Sequence, residues 1–158
     1  MKRRVLGAWL VLMALIGALW LAYFFSSSKR DKGSDMAESC RAHVKGICMA
    51  LSVYAADNND RLPSYGWSDA VFPYVRAESY LRCPVIARTG PSQYGYALSS
   101  TCAGGNIEII GGEPLIFDSV DLRRSAVRDV STMPKPERHP RGNVVGYSDL
   151  HVKFVISR

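Results

Sequence analysis

The sequence predicts an α+β protein: an N-terminal membrane helix, then an amphipathic helix packed on a small antiparallel sheet. Three observations predict it. Residues 5–25 carry no charge. Residues 35–59 repeat apolar side chains at steps of three and four, the spacing of one helix face. Beyond them the chain is rich in turn residues, with short apolar or alternating runs that mark strands.

The uncharged run from Val5 to Phe25 holds 21 residues. At about 1.5 Å per residue it matches a hydrocarbon core of roughly 30 Å. Lys2, Arg3 and Arg4 precede it and favour a cytoplasmic N-terminus. A cleaved signal peptide is the rival reading, but such apolar cores are about 7–15 residues long and end in small residues. This one is longer and ends in Tyr23-Phe24-Phe25. The expected organisation is a basic cytoplasmic tip (1–4), a transmembrane helix (5–25), a linker (26–34) and an exported domain (35–158). A chain of 158 residues holds such an anchor and one ordinary domain.

In the amphipathic stretch, Met36, Cys40, Val44, Ile47, Cys48, Leu51, Tyr54 and Ala55 form the apolar face, opposite Arg41, Lys45, Ser52 and Asp57. Ser34 or Asp35 suits the N-cap, and Asn58 and Asn59 tolerate the left-handed backbone that ends a helix. The next expected segment, Ser68 to Phe72, is a short helix or coil stopped by Pro73. Trp67, Phe72 and Tyr74 are expected in the core. Strands are expected at Gln93–Leu98, Ile107–Ile110 and Pro114–Asp118, and one or two helical turns at Asp121–Val130. Two last strands, Asn143–Ser148 and His151–Ile156, flank Asp149-Leu150 as a hairpin.

Four cysteines, Cys40, Cys48, Cys83 and Cys102, suit an oxidising compartment. Cys40 and Cys48 lie on one helix about 12 Å apart, too far for a bridge. Two pairings remain, each tying the helix to later chain, beside four free thiols. Net charge is +6, with three basic residues in the N-terminal tip alone. Arg123, Arg124, Arg128, Lys135, Arg138 and Arg141 form a basic stretch, but Asp121, Asp129 and Glu137 interrupt it. A solvated loop is the expected reading, with no nucleic acid. No Walker loop, GxGxxG after a strand, HExxH or nucleophile elbow occurs. A nucleophile–base pair such as Cys102 with His139 is conceivable, but no third orienting group or oxyanion motif is legible. No enzyme and no cofactor are expected.

Three segments together resemble a known family. They are Cys40–Pro63, Leu81-Arg82-Cys83-Pro84 followed by Ser92–Tyr96, and His139–Phe154. The chain resembles the bacterial pilin-like proteins termed prepilin-type processing-associated, named for a His-x9-Asp-Gly signature. His139 and Asp149 stand at that spacing, with Leu150 in place of the glycine. Gly7 is followed by Ala8-Trp9-Leu10-Val11-Leu12, not by the Phe-Thr and glutamate of the prepilin peptidase motif.

The resemblance implies a pilin or type II secretion pseudopilin-like fold. It implies a single-pass protein of the inner membrane with a periplasmic C-terminal domain. Its expected partners are the lipid bilayer and other pilin-like or secretion-system subunits. The resemblance also favours a Cys40–Cys83 disulfide, with Cys48–Cys102 as a second bridge. The alternative is an exported module stabilised by calcium or zinc. Its candidate ligands are His139, Asp149 and His151, with Asp57, Asn58 and Asp60 as a further oxygen-rich group.

Overall fold

The computed structural model describes residues 13–21 and 32–156. The chain divides after Lys32 into two units. In the first, residues 13–21 are helical, and Met13, Leu15, Ile16, Leu19, Trp20 and Leu21 are 46–71% exposed. No helix among the described residues is long and apolar enough to cross a membrane. Only 13–21 of the expected span 5–25 is described, and the tip 1–4 and residues 26–31 of the linker lie outside the described residues.

The second unit, from Gly33 on, holds all but the first residue of α1 (Lys32–Asp57). The helix starts before the expected cap, so residues 32–34 are helix and not linker. Cys40, Val44, Ile47, Cys48, Leu51 and Ala55 are fully buried, as the spacing predicts. Ala37 and Ala50 join them, while Met49 and Val53 are half exposed. Asn59 and Asp60 take left-handed backbone (φ 55° and 58°) and turn the chain out of the helix.

Helix α2 (Trp67–Val75) runs through Pro73, which does not stop it as expected. The helix ends two residues later, so the missing N–H removes a single bond near its end. Trp67 is buried and donates its Nε1–H to the Ala126 carbonyl at 2.9 Å. Tyr74 packs against the core and donates to Asp57 at 2.8 Å. Phe72, expected inside, is 40% exposed. Helix α3 (Pro84–Ala87) is one turn, with proline at its first position and Cys83 as N-cap.

Five strands form one sheet in the order β3-β1-β2-β4-β5. They are β1 (Tyr96–Ser99), β2 (Pro114–Asp118), β3 (Ala126–Arg128), β4 (Asn143–Tyr147) and β5 (Val152–Val155). The central strand and the final hairpin stand where the sequence puts them. The sheet is mixed and not antiparallel, because β3 runs parallel to β1. That strand replaces the helical turns expected at Asp121–Val130. Residues Ile107–Ile110 are turn and not strand, and Ile109 is 84% exposed. Asn106 makes an isolated bridge to Arg61 and no neighbouring strand extends it.

The helix-facing core gathers Val44, Ile47, Leu51, Trp67, Leu98, Leu115, Ile116 and Val144, with Phe154 at its edge. Ala97, Phe117, Ala126 and Val145 form a second cluster. A register shift between Pro114 and Ile116 puts Leu115 and Ile116 in one cluster and Phe117 in the other. In the hairpin turn Leu150 has φ 69°, the left-handed backbone that a glycine adopts without strain. Lys45 of α1 donates to the Leu150 carbonyl at 2.5 Å.

Candidate functional site

A polar centre lies inside this packing, built from five elements. Cys40 comes from α1 and Cys83 from the turn into α3. Tyr96 opens β1 and Asp118 closes β2, paired across the sheet. Arg138 and His139 come from the proline-rich loop before β4. All are buried.

The Cys40 and Cys83 Sγ atoms are 2.9 Å apart, beyond the bond length of about 2.05 Å, and both are thiols. His139 Nε2 lies 3.2 Å from Asp118 Oδ2 and 4.0 Å from Cys83 Sγ. Asp118 also accepts from Arg138 at 2.9 Å and from the Val144 N–H at 2.7 Å. Arg138 is spent on the Gly95 carbonyl at 2.6 Å and the Ser119 carbonyl at 2.5 Å. Two buried atoms, His139 Nδ1 and the Tyr96 hydroxyl, have no hydrogen-bond partner among the described residues.

The thiols are not equivalent. The hydrogen bond from Cys40 draws the Cys83 thiol down to about 5; burial opposes this and His139 supports it. The same bond pushes Cys40 far up. Burial lowers the His139 imidazole, yet Asp118 and Cys83 outweigh it and raise the group to about 9. Arg138 and His139 thus flank the Asp118 side chain, and His139 also faces Cys83, so each of these buried polar groups has a partner in the centre.

Cys40 Sγ, Cys83 Sγ and a His139 nitrogen all lie within 4.8 Å of one another. Cysteine and histidine at such separations are zinc-type ligands. The trio His139, Asp149 and His151 is not brought together. Asp149 and His151 pair with each other on the exposed hairpin turn, where His151 stacks on Tyr147 at 4.0 Å. Asp57 accepts from Tyr74, and Asn58 donates to the Tyr54 carbonyl.

Cys102 faces the Pro114 carbonyl at 3.3 Å, not His139. Cys48 sits against Gly146, and burial pushes its thiol up to about 12. Of the basic stretch, Arg138 is buried, and Arg123, Arg124, Arg128 and Arg141 pair with carboxylates.

The sequence does not single out Asp118 or Tyr96, and it marks Arg138 only as part of the basic stretch. One signal was there: an aspartate ending an apolar central strand needs a cation or donors beside it. No known protein family, curated protein or solved structure matches the chain.

Proposed function

We propose that this is a single-pass inner-membrane protein whose C-terminal domain stands on the extracytoplasmic side. There it acts as a non-enzymatic, pilin-like interaction or structural component of the bacterial envelope. The observation that carries this reading is the apolar surface of residues 13–21. Their large side chains stay 46–71% exposed, within an uncharged run of 21 residues. Contiguous apolar surface of this kind needs lipid or a partner to cover it. The long helix laid on a sheet, with a terminal hairpin, supports the pilin-like part. Its partners on this reading are the bilayer and other pilin-like or secretion-system subunits.

Protease added to spheroplasts of a bacterium expressing the full chain tests the reading. Digestion of the domain from outside, before lysis, is expected. Protection until the membrane is broken would put the domain in the cytoplasm and overturn it.

A second reading, a zinc-stabilised module, is favoured by the convergence of Cys40, Cys83 and His139 within 4.8 Å. Metal analysis of the native protein tests it. One zinc per chain supports it, and none removes it.

A further inference from the structure

We propose that the free edge of β5, with the groove between it and α1, docks an extended acidic peptide as an added strand. β5 ends the sheet, and among the described residues no strand pairs with its outer side. Its register to β4 fixes which backbone groups are left over. The Tyr147 N–H donates to the His151 carbonyl at 3.0 Å. The bonded pairs are therefore Tyr147 with His151, Val145 with Lys153 and Asn143 with Val155. Val152 and Phe154, which alternate with them, turn their N–H and C=O groups outward. Such a row is a template for another strand.

The row is flanked by a groove. Glu38, Arg41 and Lys45 of α1 face Leu150, His151 and Val152 across about 260 Å³. The Val152 and Phe154 side chains pack partly on the helix-facing core, on the side of this groove. An added strand would lay one row of its side chains beside them, under α1. Its other row would lie beside Lys153, which is exposed.

Charge selects the occupant. Arg41, Lys45, Arg141 and Lys153 stand against Glu38 and Asp149, a surplus of two positive charges. Arg41 and Arg141 share Glu38, and Asp149 pairs with His151. Among the described residues Lys45 and Lys153 hold no carboxylate: Lys45 donates to the Leu150 carbonyl, and Lys153 lies over the Tyr147 ring at 4.6 Å. Arg141 lies over the Phe154 ring at 4.6 Å, which sets its charge at the edge. Pairing of two copies edge to edge would set this surplus against itself, and like charges across a strand pair destabilise it. A strand with a carboxylate at every second position meets the cations instead. The inference rests on the fold of the second unit and not on the membrane reading.

The test uses the full chain in detergent micelles and two short fluorescent peptides, one alternating glutamate with valine, the other lysine with valine. The glutamate peptide is expected to bind, less tightly as salt rises, and to slow hydrogen exchange at the Val152 and Phe154 amides. Val152→Pro removes an outward N–H and no bond to β4, a change that an edge strand tolerates. It should weaken the glutamate peptide roughly tenfold, and Lys45→Glu roughly fivefold. Should the proline variant fail to fold, Lys45→Glu and the exchange of the two amides decide. No binding of the glutamate peptide, equal binding of the lysine peptide, or binding that leaves both amides unprotected overturns the proposal. So does protection of those amides in the peptide-free chain that is lost on dilution, which would give the edge to a second copy.

Discussion

Gly146 of β4 lies directly beneath Cys48 of α1. A Cβ on Gly146 would sit 2.5 Å from the Cys48 Sγ and 2.6 Å from the Val44 Cγ1. The missing side chain is what lets the helix approach the sheet. Gly146→Ala should lower unfolding stability by about 1–3 kcal/mol, the usual cost of overpacking. Adding Cys48→Ala should return part of it. Denaturant unfolding checks both, and an unchanged Gly146→Ala midpoint would refute the close approach.

The helix–sheet core predicts a severe effect at Leu51. It is fully buried among the helix-facing residues, with Phe154 at the edge of the same cluster and Phe117 in the other. Leu51→Asp places an unpaired charge there at a cost of several kcal/mol. That rivals the roughly 5–15 kcal/mol that holds a whole domain together. No cooperative unfolding is expected by circular dichroism. Leu51→Met, which conserves volume, should cost less than about 1.5 kcal/mol.

If Cys40 and Cys83 close, the bridge restrains a loop spanning 43 residues. Loop-closure entropy then stabilises the fold by about 4 kcal/mol. Reductant should lower the melting temperature of the isolated protein, and Cys40→Ala should melt low with or without it. Equal melting of oxidised and reduced wild type would contradict this.

Acid sensitivity should centre on Asp121. Its carboxylate binds Arg123 at 2.7 Å and Arg128 at 2.6 Å, and the Arg123 bond holds it far below its ordinary value of 3.8. A lowered folded-state value gives stability that is present above 3.8 and is lost as pH falls below it. Asp121→Asn should therefore flatten the stability profile below about pH 4 and lower stability at pH 7. An unchanged acid limb would refute the assignment.

The register of α1 was legible because its buried positions keep helical spacing over about five turns, from Ala37 to Ala55, and Asn59 ends it as expected. The hairpin was legible from its alternation. Strand β3 was not, because Ala126-Val127-Arg128 is three residues inside a charged run, and its parallel partner β1 lies far away in sequence. The Trp67 bond to the Ala126 carbonyl, which helps hold that edge, spans 59 residues. Ile107–Ile110 misled for the opposite reason: it is mostly apolar, but among the described residues no strand pairs with it, and Ile107 only donates to the Asp60 carbonyl. At the site, the sequence paired Cys40 with Cys83 through the resemblance. It set His139 beside Asp149, ten residues on, whereas the fold sets it beside Asp118, across the sheet.

The most direct test of the membrane-anchored account is fractionation of the full chain followed by an alkaline carbonate wash. Retention in the washed membrane pellet is the expected result, with a chain beginning at Gly33 released to the soluble fraction. Full-length protein recovered from the soluble fraction, or stripped from the membrane by carbonate, would contradict it.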